Sequence, residues 1–185
     1  KKEHFELLPD TENEIIFLGN SITDGCEWAE LFQNPNIKNR GIGGGDTDGV
    51  LERLDEIISS KPSKIFIMIG TNDMAYGKTV DYVVSNYTKI IDSIQIICPD
   101  TKIYIQSVLP VDDAIHYTRS TSDIMQINTH LEKLSAEKSI EYIELFSIFS
   151  NDDNKLNPDY SLDGLHLNGK GYQVWKEAIQ KYVEE

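Results

Sequence analysis

Short apolar runs alternate along this chain with longer stretches whose apolar residues recur at helical spacing, and that alternation is the strongest limit on what it can fold into. The candidate strands are Ile15 to Leu18, Ile37 to Asn39, Ile65 to Ile69, Ile103 to Val108 and Glu141 to Leu145. Most lack polar alternation, as expected of strands covered on both faces. Between them, Val50, Leu51, Leu54, Ile57 and Ile58 mark one helical stripe. Val80, Val83, Val84, Tyr87, Ile90, Ile91, Ile94 and Ile97 mark a longer one, which Pro99 and Asp100 should stop. Ile124, Ile127, Leu131 and Leu134 form a third, and Tyr172, Trp175, Ile179 and Tyr182 a fourth. This is an α/β pattern. It predicts a three-layer αβα sandwich around a five-stranded parallel sheet in the order 2-1-3-4-5, with ligands gathering at the carboxyl ends of the strands.

Neither a repeat nor a low-complexity linker divides the chain, so residues 1–185 read as one domain with its core from about residue 13 to 183. No run approaches the roughly 18 apolar residues of a membrane span. With 17 basic against 31 acidic residues the net charge is −14, which repels phosphate backbones and anionic surfaces and argues against nucleic acid as a partner. Cys26 and Cys98 lack the spacing of a zinc site or a disulfide framework and read as packing residues.

Polar clusters follow the candidate strands. The first strand runs into Gly19-Asn20-Ser21-Ile22-Thr23, a hydroxyl at a strand-to-helix turn that could be a nucleophile or merely a helix N-cap. After the second come Asn39-Arg40-Gly41-Ile42-Gly43-Gly44-Gly45-Asp46, whose glycines could turn backbone N–H groups toward an oxyanion or simply make a tight turn. This run fits neither the dinucleotide fingerprint nor a P-loop. Gly70-Thr71-Asn72-Asp73 follows the third strand, with Asn72 an amide donor or one of its residues a helix cap. Near the C-terminus, Asp163-Gly164-Leu165-His166 sets a carboxylate three residues before an imidazole, a spacing that lets Asp163 orient His166 as a base. His4 and His130 have no Asp at that spacing, His116 has Asp113, and all three read as surface or helix residues. No further His or Cys cluster accompanies the pair, so no metal is expected.

In the order Ser, Gly, Asn, Asp-x-x-His, these clusters resemble the motif blocks of the SGNH (GDSL) hydrolase family, from about Ile15 to the final helix. Asn39 to Leu54 also resembles the corresponding loop and helix of the platelet-activating-factor acetylhydrolase type and of small bacterial carbohydrate acetylesterases. The resemblance implies a flavodoxin-like fold. It implies Ser21 as nucleophile, His166 as base and Asp163 as third triad member, with the Ser21 and Gly44 N–H groups and the Asn72 side chain as oxyanion donors. Two positions depart from the pattern: Asn20 stands where the name-giving motif has Asp, and Gly45 where close relatives have Asp. The second suggests a looser oxyanion loop. The sequence is not the G-x-S-x-G elbow of α/β-hydrolases, since position 23 is Thr.

The expected reaction is hydrolysis of short-chain, acetyl esters through an acyl-serine intermediate, without metal or organic cofactor. The expected substrate is a small ester, an acetylated carbohydrate on the resemblance, with Trp28, Tyr76, Tyr117 or Tyr160 available to stack on a sugar. A lysophospholipase or thioesterase, which needs an apolar groove beside Ser21, is the enzymatic alternative, and a non-catalytic ligand-binding relative the other. A start at Lys1, together with the exported members of the resembling families, suggests a secreted or periplasmic protein, with the cytoplasm as alternative. The oligomeric state is open.

Overall fold

A computed structural model describes all residues, Lys1–Glu185. Five parallel strands form one sheet in the order β2-β1-β3-β4-β5: β1 (Ile15–Gly19), β2 (Ile37–Gly41), β3 (Lys64–Met68), β4 (Lys102–Gln106) and β5 (Glu141–Ile143). The helices are α1 (Lys2–Phe5), α2 (Ser21–Asp24), α3 (Trp28–Leu31), α4 (Thr47–Leu51), α5 (Leu54–Ser59), α6 (Thr71–Ala75), α7 (Val80–Ile97), α8 (Thr121–Lys138), α9 (Phe146–Phe149) and α10 (Gly169–Glu184). None is long and apolar enough to cross a membrane.

Successive side chains of a strand point to opposite faces, so the register decides which residues meet. Phe17, Phe66 and Tyr104 are partners in neighbouring strands and stack in a row, with ring centroids 5.0 and 4.5 Å apart. Trp28 covers Phe17 at 4.5 Å, and the edge of Trp175 meets Trp28 at 4.8 Å, so α3 and α10 lie on this aromatic face. Ile16, Leu18, Ile65, Ile67, Ile103 and Ile105 alternate with that row and point to the other face, where α4, α5, α7 and α8 pack against one another. All six are buried, which is why the strands carry no polar alternation.

Three expectations need correction. The stripe Val50 to Ile58 is two helices, broken at Glu52-Arg53, where Arg53 turns inward and donates from Nη2 to the carbonyls of Gly19 at 3.3 Å and Arg40 at 2.7 Å. The fourth strand ends at Gln106 instead of Val108, and the fifth at Ile143 instead of Leu145. There side chains replace the ladder: the Ser107 hydroxyl accepts the Leu145 and Phe146 N–H groups at 2.8 Å. Asn128 likewise takes both backbone groups of Val108, at 2.8 and 2.9 Å. Apolar runs mark buried chain, and here the buried segment outlasts the sheet.

Candidate active site

β1 lies between β2 and β3, and its last residue, Gly19, is paired with Gly41 on one side and Met68 on the other. The turns after these three strands therefore emerge side by side, carrying Ser21, the Gly43-Gly44-Gly45 loop and Asn72. The loops are tied together by hydrogen bonds. Ile42 N–H donates to Gly19 O at 3.2 Å, Gly45 N–H to Ile42 O at 2.9 Å, and Asn72 Nδ2 to Gly45 O at 2.9 Å. Both backbone polar groups of Gly45 are thus engaged, so the glycine at this position does not leave the loop slack. Gly44 adopts φ +74°, a left-handed conformation that a side chain would oppose, and Tyr76 Oη donates to its carbonyl at 3.0 Å. The Ser21 and Gly44 N–H groups donate to no group of the protein.

The helix-capping readings of these residues do not hold. Asn20 is the N-cap of α2, its Oδ1 accepting Ile22 N–H at 3.0 Å, and half-buried Ser21 is the first helical residue. The departure from Asp at position 20 thus keeps a side-chain oxygen in the turn. Gly70 precedes α6 without a side-chain cap, so neither Asn72 nor Asp73 has that duty. Asp73 is instead fully buried and accepts the Thr47 N–H at 3.1 Å and the Thr47 hydroxyl at 2.5 Å, which fixes the start of α4 to α6. Burial raises its carboxyl pKa, against the lowering effect of the Thr47 hydrogen bonds.

His166 arrives from a loop closed by the Ser161–Leu167 bridge, immediately before α10. Tyr172 Oη donates to Ile22 O at 2.9 Å, and Trp175 Nε1 to Gln106 Oε1 at 2.7 Å, so α10 is docked both on the Ser21 turn and on the end of β4. The result brings residues 145 positions apart into contact: Ser21 Oγ lies 2.9 Å from His166 Nε2. His166 Nδ1 lies 2.7 Å from Asp163 Oδ2. With Nδ1–H donating to the carboxylate, Nε2 is left to accept the serine proton. Burial pushes the Asp163 carboxyl up, but hydrogen bonds from the His166 ring and from the His166 and Leu165 N–H groups outweigh it and hold its pKa well below the usual carboxylate range.

All five residues singled out from the sequence, Ser21, Gly44, Asn72, Asp163 and His166, therefore sit at one end of the sheet. The stacking candidates divide. Trp28 is buried in the core, with Nε1 donating to Thr23 O at 2.8 Å, and half-buried Tyr160 packs against Phe149 with the Lys170 ammonium 5.3 Å over its ring, so both are engaged within the protein instead of free to stack. Tyr76 and Tyr117 are 59% and 87% exposed. A hollow of about 220 Å³ adjoins His166, lined by Leu162, Asp163, Leu167 and Asn168. Two larger ones, about 410 and 580 Å³, open at the opposite, amino ends of β3 and β4 around Lys102, away from Ser21.

Sequence reasoning passed over three contributors. Asn39 donates from Nδ2 to the carbonyls of Thr23, Asp24 and Cys26 at 2.9–3.2 Å, clamping the turn after Ser21. His116 places Nε2 2.8 Å from the Asp163 carbonyl. Arg119 donates from Nη2 to Asn72 Oδ1 at 3.0 Å. The latter two lie on an irregular loop without periodicity; Asp113 stands three residues before His116 but pairs with Lys155 and accepts the Thr121 N–H instead, and no local signal marked Arg119.

A hydroxyl, an imidazole and a carboxylate in line, beside free N–H groups at the carboxyl ends of a doubly wound sheet, belong with ester-hydrolysing enzymes. The chain is a member of the GDSL-like lipase/acylhydrolase family, whose model matches residues 17–174. It is 29% identical over 188 residues to the platelet-activating factor acetylhydrolase IB subunit alpha2 of Gallus gallus, covering 95% of this chain and 80% of that one. A Streptococcus pneumoniae structure described as a platelet activating factor is 32% identical, with a TM-score of 0.88 over 98% of this chain and 88% of that one. A candidate acylhydrolase from Bacteroides fragilis is 25% identical, also with a TM-score of 0.88, over 99% and 93% of the two chains.

Proposed function

We propose that this chain is a serine esterase that removes short acyl groups, acetyl foremost, from carbohydrate esters through an acyl-serine intermediate. The observation that carries the proposal is the line of contacts from Ser21 Oγ to His166 Nε2 and from His166 Nδ1 to Asp163. Ser21 attacks the ester carbonyl as His166 takes its proton; the tetrahedral oxyanion receives the Ser21 and Gly44 N–H groups and the second N–H of Asn72. His166 then returns the proton to the departing alcohol, and water repeats the sequence on the acyl-enzyme. The imidazolium formed at each stage is balanced by Asp163.

Support for a short acyl group comes from likeness to an acetylhydrolase. Support for a sugar comes from Tyr76, whose hydroxyl holds the Gly44 carbonyl at the lip of the site, and from Tyr117, next to His116. Both rings are exposed where a pyranose could rest on them. One contiguous core supports reading 1–185 as one domain. We further propose export to the periplasm or the medium, which fractionation of the source cells checks.

Aryl esters from acetyl to long-chain, assayed beside acetylated sugars, test the substrate. We expect acetyl esters to be cleaved fastest; a preference for long acyl chains would turn the reading toward a lipid or thioester substrate. Ser21→Ala and His166→Ala should each lower kcat by several orders of magnitude in a protein that still folds, and a phosphonate probe should add its mass to the peptide carrying Ser21 and not to Ser21→Ala. Near-wild-type turnover by Ser21→Ala would end the serine mechanism.

A further inference from the structure

We infer that Arg119 is a positioning residue for the oxyanion hole, acting through the side chain of Asn72. The inference rests on the reading of Asn72 as an oxyanion donor. An asparagine amide has two ends of nearly equal shape and opposite hydrogen-bonding character, so the protein must decide which end faces the substrate. Here two neighbours decide it. Arg119 Nη2 lies 3.0 Å from Oδ1, and Gly45 O lies 2.9 Å from Nδ2. A guanidinium only donates and a carbonyl only accepts, so a flipped amide would set N–H against N–H and oxygen against oxygen. The orientation is unique, and it leaves the second hydrogen of Nδ2 free.

Arg119 is itself anchored. Its N–H donates to His116 O at 2.8 Å, and the adjacent Ser120 is the N-cap of α8, with its hydroxyl accepting the Asp123 N–H at 3.2 Å. Its Nε is buried without a partner in the protein, so the bond to Asn72 is the one side-chain hydrogen bond the guanidinium makes. A charged donor on Oδ1 also polarises the amide and makes its remaining N–H a stronger donor to developing negative charge. In a chain of net charge −14 this places a fixed cation directly behind the position where the oxyanion forms.

The test is a double-mutant cycle on acetyl ester hydrolysis, with kcat expressed per Ser21 site titrated by a phosphonate probe. Arg119→Met keeps the aliphatic stem and removes the donors. We expect it to lower kcat about tenfold with KM changed less than about twofold, and Arg119→Lys to recover part of the loss. In an Asn72→Ala background the same Arg119→Met should cost less than about twofold, because the group it acts through is gone. An equal loss in both backgrounds, or no loss in either, overturns the inference. Near-wild-type kcat in Asn72→Ala alone would instead overturn the oxyanion reading beneath it. Arg119→Gln, shorter and neutral, carries the same cycle should Arg119→Met fail to fold.

Discussion

Asp163 is held by its own loop: Oδ1 accepts the Leu165 and His166 N–H groups, and Oδ2 faces His166 Nδ1. These outweigh the upward push of burial and hold its pKa below the usual range, so the group binds its proton more weakly folded than unfolded. A depressed carboxylate pKa contributes stability that is present above the unfolded value, about 3.9, and is lost as pH falls through the folded value. Wild type and Asp163→Asn should therefore differ in denaturation midpoint at neutral pH, and the gap should narrow as pH drops below about 4. A gap unchanged between pH 7 and pH 3 would mean that the charge of Asp163 has no part in it. The Cys26 thiol is pushed up to about 12 by burial, with Glu27 adding to the effect, which makes it a poor nucleophile beside the Ser21 turn.

At the scale of elements, the site depends on how tightly the Ser21 turn is pressed onto β2. A Cβ built on Gly41 would stand 2.3 Å from Asp24 N, 2.7 Å from Asp24 Cα and 2.8 Å from the Thr23 carbonyl carbon. All three atoms are backbone, so Gly41→Ala cannot be absorbed by a side-chain rotation and must lift α2 away from the strand. We expect a loss of about 1–3 kcal/mol in unfolding free energy. It should be joined by a fall in kcat, because Ser21 moves with the turn while His166 stays with α10. Asn39 clamps the same turn through three carbonyls, and Asn39→Ala should cost about 1–3 kcal/mol by taking a donor from each, Thr23 O keeping Trp28 Nε1. Wild-type stability and turnover in Gly41→Ala would show that the close approach is not required.

Across the whole molecule, the aromatic face of the sheet ties β1 to the last helix. Trp175 on α10 is fully buried, meets Trp28 edge-on and hydrogen-bonds Gln106, so one side chain joins α10, α3 and β4. Trp175→Ala should cost about 3–5 kcal/mol. Because α10 delivers His166, the variant should also lose ester hydrolysis in step with its folded population, in one cooperative transition seen alike by circular dichroism and by activity. Activity that melts well before the secondary structure would show α10 undocking by itself. The sequence by itself determined the alternation of five strands with longer helices, and with it the fold class, because apolar periodicity is a property of a few neighbouring positions; Ser21, Gly44, Asn72, Asp163 and His166 stood out through the order of their clusters and the resemblance it carries, since each cluster alone read equally well as a cap or a turn. Three things only the tertiary structure decided. The register aligned Phe17 with Phe66 and Tyr104, the inward turn of Arg53 split one helical stripe in two, and the loop before α8 carried Arg119 to Asn72, 47 positions away. Each depends on which surfaces pack together once distant segments meet, and no local pattern encodes the distance between a loop residue and the strand end it will reach.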